Sequence, residues 1–215
     1  MVSPQVSVTS AGQTRPGFEV TKAVVDSVAG IVGSAITVLI TPVIGLLIKL
    51  EDTGPIFYRR EYVDRHGRKR YYLKFRTMVQ NANDLLENDP ELRRRFSERQ
   101  KLEHDPRILR IGRVLRKFSI DEFPQFFSIV TGDLTLVGPR VVQGEEAAHY
   151  GELLPKLLSV KPGITGYWQV NGRSNISYQE RVRMDMYYVD NRSVRLDLQI
   201  IAKTFRAVFR GEGAY

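Results

Sequence analysis

The sequence contains no cysteine, and only three histidines, His66, His104 and His149, among 215 residues. Disulfide scaffolds, thiolate metal sites, iron–sulfur clusters and cysteine nucleophiles are therefore excluded, and the histidines lack metal-ligand spacing. Any catalysis must run on carboxylates, hydroxyls or lysines. Internal repeats, low-complexity tracts, a Ser/His/Asp order and the Gly-Lys-Ser/Thr ending of a P-loop are also missing. With 42% hydrophobic and 26% charged residues, neither a disordered chain nor a multi-span membrane protein fits. The length suits one domain, or one domain plus an appendage.

Negative charge is the scarcer sign: 24 acidic residues face 32 basic ones, a net charge of +8. Arginine supplies 23 of the 32, and its rigid fork suits phosphate. The excess is concentrated. Between Tyr58 and Arg76 eight basic residues face Glu61 and Asp64, so this segment alone carries +6. Such a balance predicts anionic partners: nucleic acid, phosphorylated small molecules or an acidic membrane face.

From Ala23 to Ile48 the chain reads AVVDSVAGIVGSAITVLITPVIGLLI, and no charge falls between Ser27 and Ile48. As straight helix this run is about 33 Å long, close to a bilayer core. It starts too late and runs too long for a signal peptide, so a retained membrane segment is expected. A buried core helix is the alternative. Thr41 and Pro42 interrupt the run, and proline removes a backbone donor and bends a helix. A kinked spanning helix and a segment that enters one leaflet and returns both stay open on these residues. Nine basic residues from Lys49 to Arg76, against two from Met1 to Asp26, place the body on the cytoplasmic face.

Three regions are expected: a flexible tail over 1–21, the membrane segment over 22–48 and a catalytic body over 49–215. In the body, IFYRREYV and RYYLKFRTM flank the turn sequence DRHGRK and predict a β-hairpin. Asp89 and Pro90 open a polar helix to about Lys101, and Ile108, Leu109, Ile111, Leu115 and Phe118 trace an amphipathic one. Ser119 with Glu122, and Ser177 with Glu180, have capping-box spacing. Leu198, Ile201, Phe205, Val208 and Phe209 pattern a last helix, with Lys203, Arg206 and Arg210 among them. It lies on an anionic membrane surface or on the core. The fold class is mixed α/β and mainly helical, with amphipathic surface helices and a small β-hairpin.

Asp121 and Glu122 lie in RKFSIDEFPQ, in the first turn of a short helix. Amide dipoles and the nearby Arg116 and Lys117 are expected to keep Asp121 ionised. An ionised carboxylate can attack a phosphoryl group while its neighbour helps hold Mg²⁺ against substrate phosphates. Ordinary helix capping explains the same pair, so spacing alone leaves the role open. Val137-Gly138-Pro139-Arg140 presents an arginine on a constrained loop, and Lys161-Pro162-Gly163-Ile164-Thr165-Gly166 reads as a phosphate-cradling loop. Asn171-Gly172-Arg173 is a tight turn with a further arginine.

Taken in order, Lys22 with Asp26, the Thr41-Pro42 break, GPIFYRRE, LKFRTM, DPRILRIGRVLRKFSIDEFPQ, GDLTLVGPR, KPGITGYWQVNGR and MYYVDN resemble the bacterial sugar transferases. These are the monotopic phosphoglycosyl transferases that begin polysaccharide and glycoconjugate assembly. The resemblance covers Lys22 to Tyr215. It implies a re-entrant helix-break-helix hairpin at Thr41 and Pro42, and a catalytic domain on the cytoplasmic face of the bacterial inner membrane. It also implies transfer of hexose 1-phosphate from a UDP-hexose to polyprenyl (undecaprenyl) phosphate, releasing UMP, as the first membrane step of exopolysaccharide synthesis. Asp121 would be the nucleophile, and Glu122 would support Mg²⁺ with it. Arg116, Arg140, Lys74, Arg76 and Arg173 occupy basic motif positions that imply phosphate or substrate contacts. The second proline usual after the Pro-Arg pair is replaced by Val141. The ending and Tyr167-Trp168-Gln169 point to UDP-galactose or UDP-glucose. Membrane lipids are the remaining expected partner, and a homo-oligomer is left open.

Two rivals stand beside this reading. A membrane-tethered nucleic-acid binder would use the basic 58–76 segment, but no recognition motif is present and no nucleic-acid partner is expected. A catalytically silent scaffold of polysaccharide assembly would share the fold, and the intact Asp121 and Glu122 argue against it.

Overall fold

A computed structural model describes residues 16–64, 68–99, 105–143, 146–172 and 176–210. The apolar run forms one helix, α1, Pro16–Glu51, about 54 Å long at 1.5 Å per residue. It begins within the expected tail and runs past the expected limits of the membrane segment. The expected break at Thr41 and Pro42 does not divide it, because helix continues through Pro42. Thr41 Oγ1 donates to the Thr37 carbonyl at 2.6 Å, the back-bond that threonines in helices make one turn toward the N-terminus.

One face of α1 lies along the body over its whole length. Near the start, Lys22 Nζ donates to the Val137 carbonyl at 2.7 Å and to Asp197 at 3.0 Å. One turn on, Asp26 accepts from Thr135 Oγ1 and from the Leu136 amide. Gly33 leaves room for the Phe126 ring, which a Cβ there would overlap. Thr37 Oγ1 reaches the Phe123 carbonyl at 3.0 Å. Ile44 and Ile48 enter a core cluster with Phe75, Leu109 and Leu115. At the far end, the Glu51 carboxylate accepts from the Arg110 and Ile111 amides. The inward positions 22, 26, 30, 33, 37, 44 and 48 follow helical periodicity. The opposite face carries Val24, Val28, Ile31, Val32, Leu39, Val43, Leu46 and Leu50, all exposed, with Leu39 at 76%. Among the described residues, α1 is the one helix long and apolar enough to cross a membrane.

The predicted hairpin is present as β1, Phe57–Val63, and β2, Lys69–Phe75, paired antiparallel with Phe57 opposite Phe75 and Arg60 opposite Tyr72. Short helices follow: α2, Ala82–Asn88, and α3, Pro90–Arg99, the latter capped as expected by Asp89, which accepts from the Glu91 and Leu92 amides. Next come α4, Arg110–Lys117, a 3₁₀ turn Ile120–Gln125, and α5, Phe126–Val130.

The stretch read as a phosphate-cradling loop is instead a strand. β3, Thr135–Val137, pairs in parallel with β4, Gly163–Thr165. A Cβ on Gly163 would collide with the Gly138 backbone, so that glycine is required for the close approach of the two strands. A 3₁₀ segment Glu146–Leu153 and α6, Leu154–Leu158, connect the two strands. The chain then forms α7, Tyr167–Asn171, α8, Tyr178–Asn191, and α9, Val194–Arg210. The capping box predicted at Ser177 and Glu180 is formed. On α9, Ile200 is buried, while Leu198, Phe205 and Phe209 face outward, Phe209 at 81%. The architecture is mainly helical with two small sheets.

Candidate active site

The hairpin, the 3₁₀ turn and the end of α4 converge on Asp121. Ser119 turns the chain between α4 and the 3₁₀ segment in a left-handed conformation, φ 53°, which non-glycine residues rarely adopt. The expected capping box at Ser119 is not made: its side chain caps nothing, and only its carbonyl receives the Glu122 amide. The Glu122 carboxylate is drawn instead to Lys74 of β2, whose ammonium donates to it closely and stands 4.0 Å from Asp121. A long-range ion pair has displaced a local cap.

Asp121 is 9% exposed. Burial pushes its carboxyl up to about 6, with Glu122 adding to the rise, while Lys74 and Arg116 pull the other way. Desolvation thus outweighs the cations in setting the direction of the shift. At neutral pH the group is still mostly ionised. Burial also works against the Lys74 ammonium, but Glu122 and Asp121 outweigh it and its pKa is raised. Arg116 is lowered by burial and stays charged. It donates from Nε to Thr77 Oγ1 at 2.9 Å.

Arg76 is not part of this cluster. Its guanidinium is 6% exposed and donates to the Asp52 carboxylate at 2.7 Å and the Asp52 carbonyl at 2.9 Å, fastening the end of α1 to the hairpin. Arg173 lies outside the described residues. Arg140 follows β3 and places its guanidinium 5.4 Å from the Trp168 ring, with Arg181 4.3 Å from the same ring. Its amide and the Tyr150 hydroxyl both donate to Asp185, which burial lifts to about 6. The positive excess of the hairpin is largely paired. Lys69 meets Glu61, Arg68 and Arg70 meet Asp64, and Arg59 covers the Tyr71 ring.

Two adjacent carboxylates are a donor set that Mg²⁺ uses when it retains water and substrate phosphate oxygens. Among the described residues no third metal-ligating side chain joins them, and the Lys74 ammonium already shares both. The pair fits an ion completed by substrate, not one held by protein alone.

Asp121 is thus a buried carboxylate beside Glu122, Lys74 and Arg116, on a body docked along a helix whose outer face is apolar and exposed. The bacterial sugar transferase family model matches residues 18–211, and the chain belongs to that family. An undecaprenyl-phosphate galactose phosphotransferase of Salmonella typhimurium is 43% identical over 168 residues, 76% of this chain and 35% of that protein. The exopolysaccharide production protein ExoY of Rhizobium meliloti is 37% identical over 208 residues, 95% of this chain and 89% of that protein. A UDP-N-acetylgalactosamine-undecaprenyl-phosphate N-acetylgalactosaminephosphotransferase of Aeromonas hydrophila is 35% identical over 175 residues, covering 79% of this chain and 39% of that protein. The chain thus spans about a third of the Salmonella relative and most of the Rhizobium one.

Proposed function

We propose that this chain transfers hexose 1-phosphate from a UDP-sugar to polyprenyl phosphate, releasing UMP, as the first membrane step of exopolysaccharide or glycoconjugate synthesis. The observation that carries this reading is the buried Asp121 carboxylate, 4.0 Å from the Lys74 ammonium and in the field of Arg116. An Asp121 oxygen attacks the sugar-bearing phosphorus, and the bond from that phosphorus to the oxygen bridging the two phosphates breaks. UMP leaves with that oxygen and its electron pair, and the sugar phosphate stays on Asp121 as an acyl phosphate. An oxygen of the polyprenyl phosphate then attacks the same phosphorus and frees the carboxylate. Lys74 and Arg116 stabilise charge on the phosphoryl oxygens in both steps. Glu122, with Asp121, would hold Mg²⁺, which supplies charge neutralisation for the pyrophosphate.

Membrane topology follows the same lines. Lys22 pairs with Asp197, and Ile48 packs in the hairpin cluster, so both ends of α1 touch one body. A perpendicular crossing with residues 1–22 on the far side would break the Lys22 and Asp26 contacts. These contacts support a monotopic arrangement, with the outer face of the undivided α1 in one leaflet of the inner membrane and the body on the cytoplasmic side.

The test is UMP release by the full chain in nanodiscs given Mg²⁺, undecaprenyl phosphate and a panel of UDP-hexoses. Release with one sugar is expected, and none with any sugar overturns the reading. Loading of Asp121 carries a pH signature as well. Only the carboxylate is nucleophilic, so single-turnover UMP release should rise about tenfold per pH unit below 6 and level off above about 7. A flat profile from pH 5 to 8 would contradict an essential Asp121 with the raised value.

A further inference from the structure

Lys74 and Arg116 stand at the dyad, and two further cations, Arg60 and Arg140, act together with Lys74 on the neighbouring Tyr72. Three of the cations have protein partners. Lys74 serves Glu122 and Asp121, Arg116 donates to Thr77, and Arg140 lies over Trp168. Arg60 makes no ion pair or hydrogen bond among the described residues, and it is half-buried.

The strand register fixes where it sits. Arg60 is directly opposite Tyr72, and Tyr58 is opposite Lys74, so Arg60, Tyr72 and Lys74 rise from one face of the hairpin. Arg59 is on the other face, over Tyr71. Tyr72 is 6% exposed and rests against Tyr62, ring centroids 5.8 Å apart. It feels Lys74, Arg60, Glu122 and Arg140 together. Burial holds its hydroxyl protonated, hence able to donate. Arg60 also acts on Arg116. A half-buried guanidinium with no carboxylate partner, close enough to Arg116 and Tyr72 to act on both, gains from an anion that joins it.

We propose that the cross-strand pair Arg60 and Tyr72 is a phosphate-binding element of this site. The Arg60 fork and the Tyr72 hydroxyl donate to phosphate oxygens, either of the nucleotide-sugar diphosphate or of the prenyl phosphate. The proposal rests on the transferase reading above. Arg60 differs from Lys74 in having no carboxylate to leave when substrate arrives.

The experiment uses the full chain in nanodiscs with UDP-galactose, or whichever UDP-hexose supports release, and undecaprenyl phosphate. Initial rates with both substrates varied give a separate kcat/KM for each, because in a double-displacement scheme each constant reports one half-reaction. For Arg60→Ala we expect a fall of about 10- to 100-fold in at least one constant with the melting temperature within 2 °C of wild type. Partial recovery is expected in Arg60→Lys, and a smaller fall in the same constant in Tyr72→Phe. A fall in the donor constant assigns the pair to the diphosphate, a fall in the acceptor constant to the lipid phosphate, and a fall in both to a phosphate position used twice. Both constants within twofold of wild type, or a fall that tracks a lowered melting temperature and is not rescued by lysine, would overturn the proposal. Absence of UMP from the wild type overturns the transferase reading itself, whereas failure of the Arg60 arm alone leaves that reading standing.

Discussion

Asp121→Asn is expected to lose at least a thousandfold in UMP release and all covalent sugar-phosphate adduct, while the protein becomes more stable, not less. The two effects have one origin. The carboxyl is raised to about 6 from an ordinary value of 3.8 because the fold buries it, so protonation favours the folded state. The sign follows: the burial cost is absent below about pH 4, grows as pH rises through 6 and is complete above 7. An amide of the same shape has no charge to desolvate. At pH 8 the variant should gain of order 1–3 kcal/mol, and the gain should vanish toward pH 4. Thermal melts of both proteins at pH 4.5 and 8, beside the adduct assay, check this. A variant that keeps near-wild-type turnover removes Asp121 as nucleophile. One that is less stable at pH 8 removes the account of why the carboxyl is raised.

Gly163→Ala should be the most damaging single methyl group in the body. The Gly138 amide nitrogen and Cα stand where the new Cβ would go, and both belong to backbone that cannot rotate away. The parallel pair Thr135 with Gly163 and Val137 with Thr165 would have to separate. That moves Thr135 and Leu136, the partners of Asp26, and Arg140, which bridges to Gly163. A loss of about 3 kcal/mol or more is expected, as for overpacking against rigid neighbours. It should appear as a melting temperature lowered by several degrees and a weakened response to both substrates. A melt unchanged from wild type would mean that the two strands are not held this closely.

What the sequence disclosed depended on the range of the forces involved. The caps at Asp89 and Ser177 were legible because donor and acceptor lie within three residues. The hairpin was legible from its alternation and turn. Ser119 has the same spacing as Ser177, yet its cap fails because Lys74, 48 positions from Glu122, offers a stronger partner that no local pattern contains. The KPGITG stretch misled in a similar way, since glycine for a ligand and glycine for a neighbouring strand look alike in one dimension. Arg76 shares a motif with Lys74, yet its partner is Asp52, 24 residues away on the far side of the hairpin in sequence, which the motif does not contain. Arg60 is one of eight basic residues in its segment, and only the strand register sets it on the same hairpin face as Lys74. The exposed face of α1 was plain from composition, but its docked face was hidden within the same apolar run.

That docked face changes what kind of object α1 is. Ile44 and Ile48 complete the cluster around Phe75, Leu109 and Leu115, Gly33 admits Phe126, and Lys22 and Asp26 brace β3 just ahead of Arg140. The helix is a keel to which the hull is built, not a mooring line. Membrane segment and catalytic body are then not interchangeable cassettes. Grafting a generic anchor in place of residues 16–51 would keep the chain at the bilayer and still leave it without a core wall. Any lengthening or drift of this helix in evolution has to be matched, position for position, by the surface that lies along it.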